Sequence, residues 1–98
     1  MLEKLSAAKF SPLLNKKFKI YFDPSSPSIV ELIEVIEKKS DSEEVLRQPF
    51  SIIFSGQKDV VWPQGTYTID HHSLGKMDIF LVPIGPNDHG MCYEAVFN

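Results

Sequence analysis

Apolar and polar residues alternate along much of this chain. Across residues 17–22, Phe18, Ile20 and Phe22 fall on one face, with Lys17, Lys19 and Tyr21 on the other. That alternation predicts a strand buried on one side. It returns over residues 50–55, where Phe50, Ile52 and Phe54 are set to point inward. Residues 66–70 and 76–82 read as paired strands joined across residues 71–75. Residues 91–97 place Met91, Tyr93, Ala95 and Phe97 on one face of a last strand.

Turn formers separate these runs. Residues 23–27 hold Pro24 and Pro27 among serines, and residues 83–90 are dense in Pro, Gly, Asn and Asp, so both predict loops. Residues 56–65 form a connection that carries Trp62, with Pro63, Gln64 and Gly65 suited to a tight turn. Residues 40–48 are polar, with no repeating apolar stripe, and predict a further loop. Near the start, Ser6 is placed to cap a short helix over residues 7–10, and Ser11 with Pro12 to restart it. Leu13 and Leu14 would then turn inward, with Asn15 as a left-handed turn residue.

Residues 28–39 carry two conflicting patterns. Ile29, Leu32, Ile33 and Ile36 have helical spacing, and Ser28 with Glu31 makes a capping box. The density of Ile and Val argues equally for a strand, with Glu31, Glu34 and Glu37 toward solvent or an edge. Local spacing alone leans toward the helix.

Several stretches carry a resemblance. They are Pro63, Gln64, Gly65, Thr66, Tyr67, then Phe80 through Val82 with Pro83, Ile84, Gly85, Pro86, then Gly90, Met91 and the ending Tyr93, Glu94, Ala95, Val96, Phe97, Asn98. Phe10, Pro12, Leu13, Leu14 and Phe18 match at the opening, and Pro49, Phe50 and Ser51 in the middle. Together they resemble a bacterial family of small domains of unknown function. The resemblance implies a compact β-rich fold and no assigned activity. It also implies, as an alternative role, an accessory part of a phage-tail-like or tail-collar assembly. Cys92 stands where that family usually has arginine, and His72 where it usually has proline. The β-rich fold it implies turns residues 28–39 into a strand. With that strand included, the expectation is a mainly β chain: a small antiparallel β-barrel or sandwich of about six strands with a short N-terminal helix.

Composition narrows the function classes. A chain of 98 residues, 43% hydrophobic and 23% charged, fits one globular domain spanning residues 1–98, too small to enclose a sizeable substrate beside its core. Cys92 is the only cysteine, which rules out an internal disulfide and favours a reducing cytoplasm. Residues 2–10 are interrupted by Glu3, Lys4 and Lys9 and offer no apolar signal region. The apolar run Ile79, Phe80, Leu81, Val82 is too short for a membrane span. The net charge of −3 leaves only a short lysine-rich opening with Lys4, Lys9, Lys16, Lys17 and Lys19, which argues against nucleic acid as a partner.

Four groups of residues merit a chemical reading. Asp70, His71 and His72, with the distant His89 and Cys92, have the side chains of zinc ligands. Neighbours on a strand point to opposite faces, so a polar hairpin connection with solvent-exposed imidazoles is the reading preferred, and no cofactor is expected. Cys92 with His71 or His89 would pair a nucleophile with a base, but without an oxyanion hole in view the thiol reads as a packing residue. Gly85 and Gly90 lack the spacing of a phosphate loop. Glu31, Glu34, Glu37, Glu43 and Glu44 read as a solvated face rather than an acid–base pair.

The expectation is therefore a non-enzymatic interaction or assembly module that binds another protein or a second copy of itself. Its anchors would be the aromatics Trp62, Tyr67 and Tyr93. The strands over residues 28–39 and 91–98 would supply exposed edges for pairing. The competing reading, from a different class, is a metal or ligand binder, or an enzyme, using His71, His72 and His89.

Overall fold

The computed structural model of the chain describes residues 6–37 and 49–97. A short helix α1 (Ala7–Phe10) runs into a 3-10 turn (Ser11–Leu13). Six strands follow: β1 (Lys17–Asp23), β2 (Ser26–Glu37), β3 (Phe50–Ser55), β4 (Gly65–His71), β5 (Gly75–Pro86) and β6 (Met91–Phe97). They close into an antiparallel barrel in the order β1-β2-β3-β6-β5-β4. The expected β-rich architecture resolves to a barrel, and residues 40–48 lie outside the described residues.

Closure places both strands that the sequence suggested as edges inside the ring. β2 is paired with both β1 and β3, and β6 with both β3 and β5. The second ladder is partial in each case, since β1 pairs with β2 only as far as Glu31 and β5 with β6 only as far as Glu94. Most of each expected edge is taken up and a short one-sided stretch remains. The tightness of the join varies around the ring. β4 and β5 match over Gly65↔Leu81 to His71↔Gly75, whereas β1 and β4 match only over Lys19↔Asp70, Ile20↔Ile69 and Tyr21↔Thr68.

The strand at residues 26–37 overrides its helical spacing. Its register shifts between Leu32 and Glu34, where a β-bulge inserts one extra residue. Leu32 and Val35 therefore both pack on the core although they are three positions apart. Of the helically spaced Ile29, Leu32, Ile33 and Ile36 only Leu32 belongs to the core, and Ile29 is left on the outer surface. A second bulge between Pro83 and Gly85 carries β5 on to Pro86, with Gly85 at φ 113. The loop expected over residues 83–90 is thus confined to residues 87–90, and proline is tolerated where the ladder is broken. At the other hairpin Asp23 Oδ1 accepts from the Ser25 amide and hydroxyl, both at 2.9 Å, so Ser26 and Pro27 already belong to β2.

Inward residues from every strand fill the barrel. Phe10 of α1 plugs one end, its ring 5.8 Å from Phe50 and 6.0 Å from Phe97, which stack on each other at 4.7 Å. Ser6 occupies the N-cap position without a side-chain capping bond, while Ser11 Oγ donates to the Ala7 carbonyl at 3.0 Å. Leu13 packs on the core as expected, but Leu14 is 41% exposed and does not turn inward. Asn15 takes the left-handed conformation at φ 68, and its amide donates to the Leu32 carbonyl at 2.7 Å. At the opposite end the backbone closes tightly: a Cβ on Gly90 would lie 1.9 Å from the Gly56 carbonyl oxygen, so only glycine fits there. Among the described residues no helix is long and apolar enough to cross a membrane.

Candidate functional site

The three aromatic anchors come together, but as part of the interior. Phe22 lies at their centre, stacked on Trp62 at 5.4 Å, edge-on to Tyr67 at 4.9 Å and 4.9 Å from Tyr93. Two hydroxyls fasten the 56–64 connection across the barrel mouth. Tyr93 Oη accepts from the Trp62 amide at 3.0 Å, and Tyr67 Oη donates to the Pro63 carbonyl. Tyr93 is 1% exposed, so it is a core residue and not a surface anchor. Burial pushes its phenol pKa up, partly offset by the hydrogen bond from Trp62. Trp62 and Tyr67 are half-buried, their rings engaged with Phe22. Trp62 is drawn partly inward because its loop folds over a barrel end that needs covering.

The histidines divide. His71 ends β4 on its inward side and is 8% exposed, contrary to the solvent-facing imidazole expected. Its ring lies 4.6 Å from Phe18 and 4.5 Å from His72, which is exposed. Nδ1 of His71 accepts the Ser73 amide at 3.0 Å, which leaves the ring proton on Nε2 in the neutral form. Burial lowers the His71 pKa, the neighbouring His72 lowers it further, and Asp70 opposes both. His89 sits in the β5–β6 connection at the other end of the barrel. Among the described residues no three His, Cys, Asp or Glu side chains gather as a metal site would require.

Cys92 is buried on β6, paired with Ser55 and Gly85, whereas His71 stands at the far end of β4. Burial pushes its thiol pKa up, the reverse of what a nucleophile needs. The glutamates Glu34 and Glu37 are exposed on β2, in keeping with a solvated face, and Glu43 and Glu44 lie outside the described residues.

Two surface features had no place in the sequence reading. One is an apolar outer face on β5 and β6, where Phe80 is 53% and Val96 49% exposed, with half-buried Val82 on the same side. Val82↔Glu94 is the last pair of that ladder, and Phe80 and Val96 each lie two residues beyond it on their own strands. The signal was present as the unbroken run Ile79 to Val82: a strand covered only on its inner side should alternate, and this one does not. The other is the short β1–β4 seam, flanked by a groove at each end. The upper groove holds Tyr21, Pro24, Thr66 and Lys76, with the Lys76 ammonium 5.6 Å from the Tyr21 ring. The lower one holds Lys17, Lys19, Ile29, Asp70 and the His71–His72 pair.

With this geometry in hand, the comparison with protein families is decisive for kinship. The chain belongs to the family described as a domain of unknown function, DUF6916. Its family model matches residues 5–97 and so takes in α1, all six strands and both barrel ends of this DUF6916 chain. No curated protein and no solved structure matches it.

Proposed function

We propose that the protein is a non-enzymatic interaction module that docks a protein surface, either a partner or a second copy of itself, through the outer face of β5 and β6. One observation carries this reading: Phe80 and Val96 stand about half exposed on the outer surface of neighbouring strands of the barrel. Ring closure leaves only short one-sided stretches of ladder, so packing of one sheet face against another surface is favoured over strand addition. Large exposed apolar side chains gathered on one face mark an interface when their burial removes that area from water. A metal-dependent or thiol-dependent activity finds less support, since the histidines are split between the two ends and burial pushes the thiol pKa up.

The test is to compare wild type with Phe80→Asp in sedimentation velocity and in cross-linking with mass spectrometry from the native cell. Phe80 points to solvent, so the variant is expected to fold. Loss of a dimer, or of one reproducible cross-linked partner, supports the reading. Identical sedimentation and identical cross-links for the two proteins refute it.

A further inference from the structure

We infer that the lower groove of the β1–β4 seam is a binding site for small, flat carboxylates. It lies across the ring from the β3–β6 pair and is independent of the apolar face on β5 and β6.

The groove exists because the seam stops early. The ladder ends at Lys19↔Asp70, and one step further the Phe18 and His71 rings meet at 4.6 Å where another strand pair would have formed. Side chains, not backbone, therefore close the barrel there, and they leave an open hollow of about 530 Å³. That volume is of the order that holds a small ligand.

Its chemistry is sharply divided. Phe18 lies beneath and Ile29, 55% exposed, forms an apolar wall. The His71–His72 stack at 4.5 Å, whose outer ring is exposed, offers a flat face that a second planar group can extend. Lys17 and Lys19 line the groove, two cationic side chains against the single carboxylate of Asp70. The groove is thus cationic in a chain whose net charge is −3. His71 adds a directional constraint: with Nδ1 engaged by Ser73, its remaining ring nitrogen is a donor in the neutral state. Donors and cations face a ligand that accepts, while the apolar wall and stacked rings select one with a flat hydrocarbon body. A ring-bearing carboxylate satisfies both demands. An inorganic anion satisfies only the first, and a neutral aromatic only the second.

Benzoate is the probe, with benzyl alcohol and inorganic phosphate as the two half-matched controls. Each is titrated into the full chain while the imidazole signals of His71 and His72 are followed by 1H–13C NMR at constant ionic strength and pH. Saturable shifts with benzoate, and binding at least several-fold weaker for both controls, are expected. The double variant Lys17→Ala with Lys19→Ala changes only exposed side chains, and it should weaken benzoate roughly tenfold. The proposal is overturned by unsaturable benzoate shifts, by benzyl alcohol or phosphate binding as tightly as benzoate, or by unchanged affinity in a double variant that circular dichroism shows to be folded.

Discussion

The two ends of the barrel are closed by different physics. At the lower end, Phe10 from α1 meets the Phe50–Phe97 stack, a seal made of hydrocarbon alone. At the upper end, the 56–64 connection lies over Phe22 and is fastened by the hydroxyls of Tyr93 and Tyr67 to loop backbone. The lower seal derives its strength from area removed from water and is insensitive to direction. The upper seal needs direction, because a loop crossing an apolar mouth carries backbone donors and acceptors that must find partners. The lower plug is a single aromatic side chain delivered by α1, whereas the upper cover is a length of loop backbone, which a tyrosine-lined rim can hydrogen-bond.

Truncating the lower seal should have the largest consequence. Phe10→Ala removes a fully buried ring and leaves a void against Phe50 and Phe97. A loss of about 3–5 kcal/mol is expected in urea unfolding. A loss below about 1 kcal/mol would show that α1 is an accessory and that the Phe50–Phe97 stack closes this end unaided.

Removing single oxygens tests the upper seal. Tyr93→Phe keeps the ring and strips the acceptor from the Trp62 amide, with an expected cost of about 1–2 kcal/mol. Tyr67→Phe removes a bond in a more exposed place and should cost about 0.5–1 kcal/mol. Trp62 is the only tryptophan, so its fluorescence reports the loop directly. A red shift is expected in Tyr93→Phe and not in Phe10→Ala. The same shift in both would mean that the ends are coupled and the contrast between them is false.

The smallest effects come from pH, and they have opposite signs at the two ends. Burial lowers the His71 pKa, so the unfolded chain takes up a proton near the ordinary imidazole value of about 6.5 before the folded chain does. The His71 contribution is therefore complete above about pH 6.5 and is lost as pH falls through the lower folded value. Tyr93 runs the other way. Its raised pKa means the unfolded chain releases the phenol proton first, so its contribution is complete below about pH 10 and is lost as pH rises through the folded value. Thermal unfolding scans of His71→Asn should lose part of the acid slope, and those of Tyr93→Phe part of the alkaline slope. Slopes identical to wild type would show that neither ring titrates with folding.

Much of this architecture was legible in local pattern. The alternation around Phe18, Ile20 and Phe22, and around Phe50, Ile52 and Phe54, placed two strands and their inner faces correctly, because successive strand residues point to opposite faces, although β3 is buried on both. Asn15 was legible for an equally local reason, since a left-handed residue is a property of its own backbone. The strand at Ser26–Glu37 was not, because one bulged residue shifts the phase of the pattern and the partner strand that stabilises the bulge is remote in sequence. The site suffered most. Whether Tyr93 faced solvent or core, whether His71 was exposed, and whether β2 and β6 were edges all depended on how six strands closed on one another.

What the sequence determined by itself is the alphabet of this fold: β-strands, their inward faces, a short capping helix and the punctuation between them. What the tertiary structure alone decided is which surfaces remain. Closure brings the expected edge strands into the ring, folds the aromatic loop inward, and leaves outside an apolar face around Phe80 and Val96 and a cationic groove beside a three-pair seam. The physical reason is one of range: strand periodicity is fixed by neighbours along the chain, whereas exposure is fixed by which distant residues arrive to displace water.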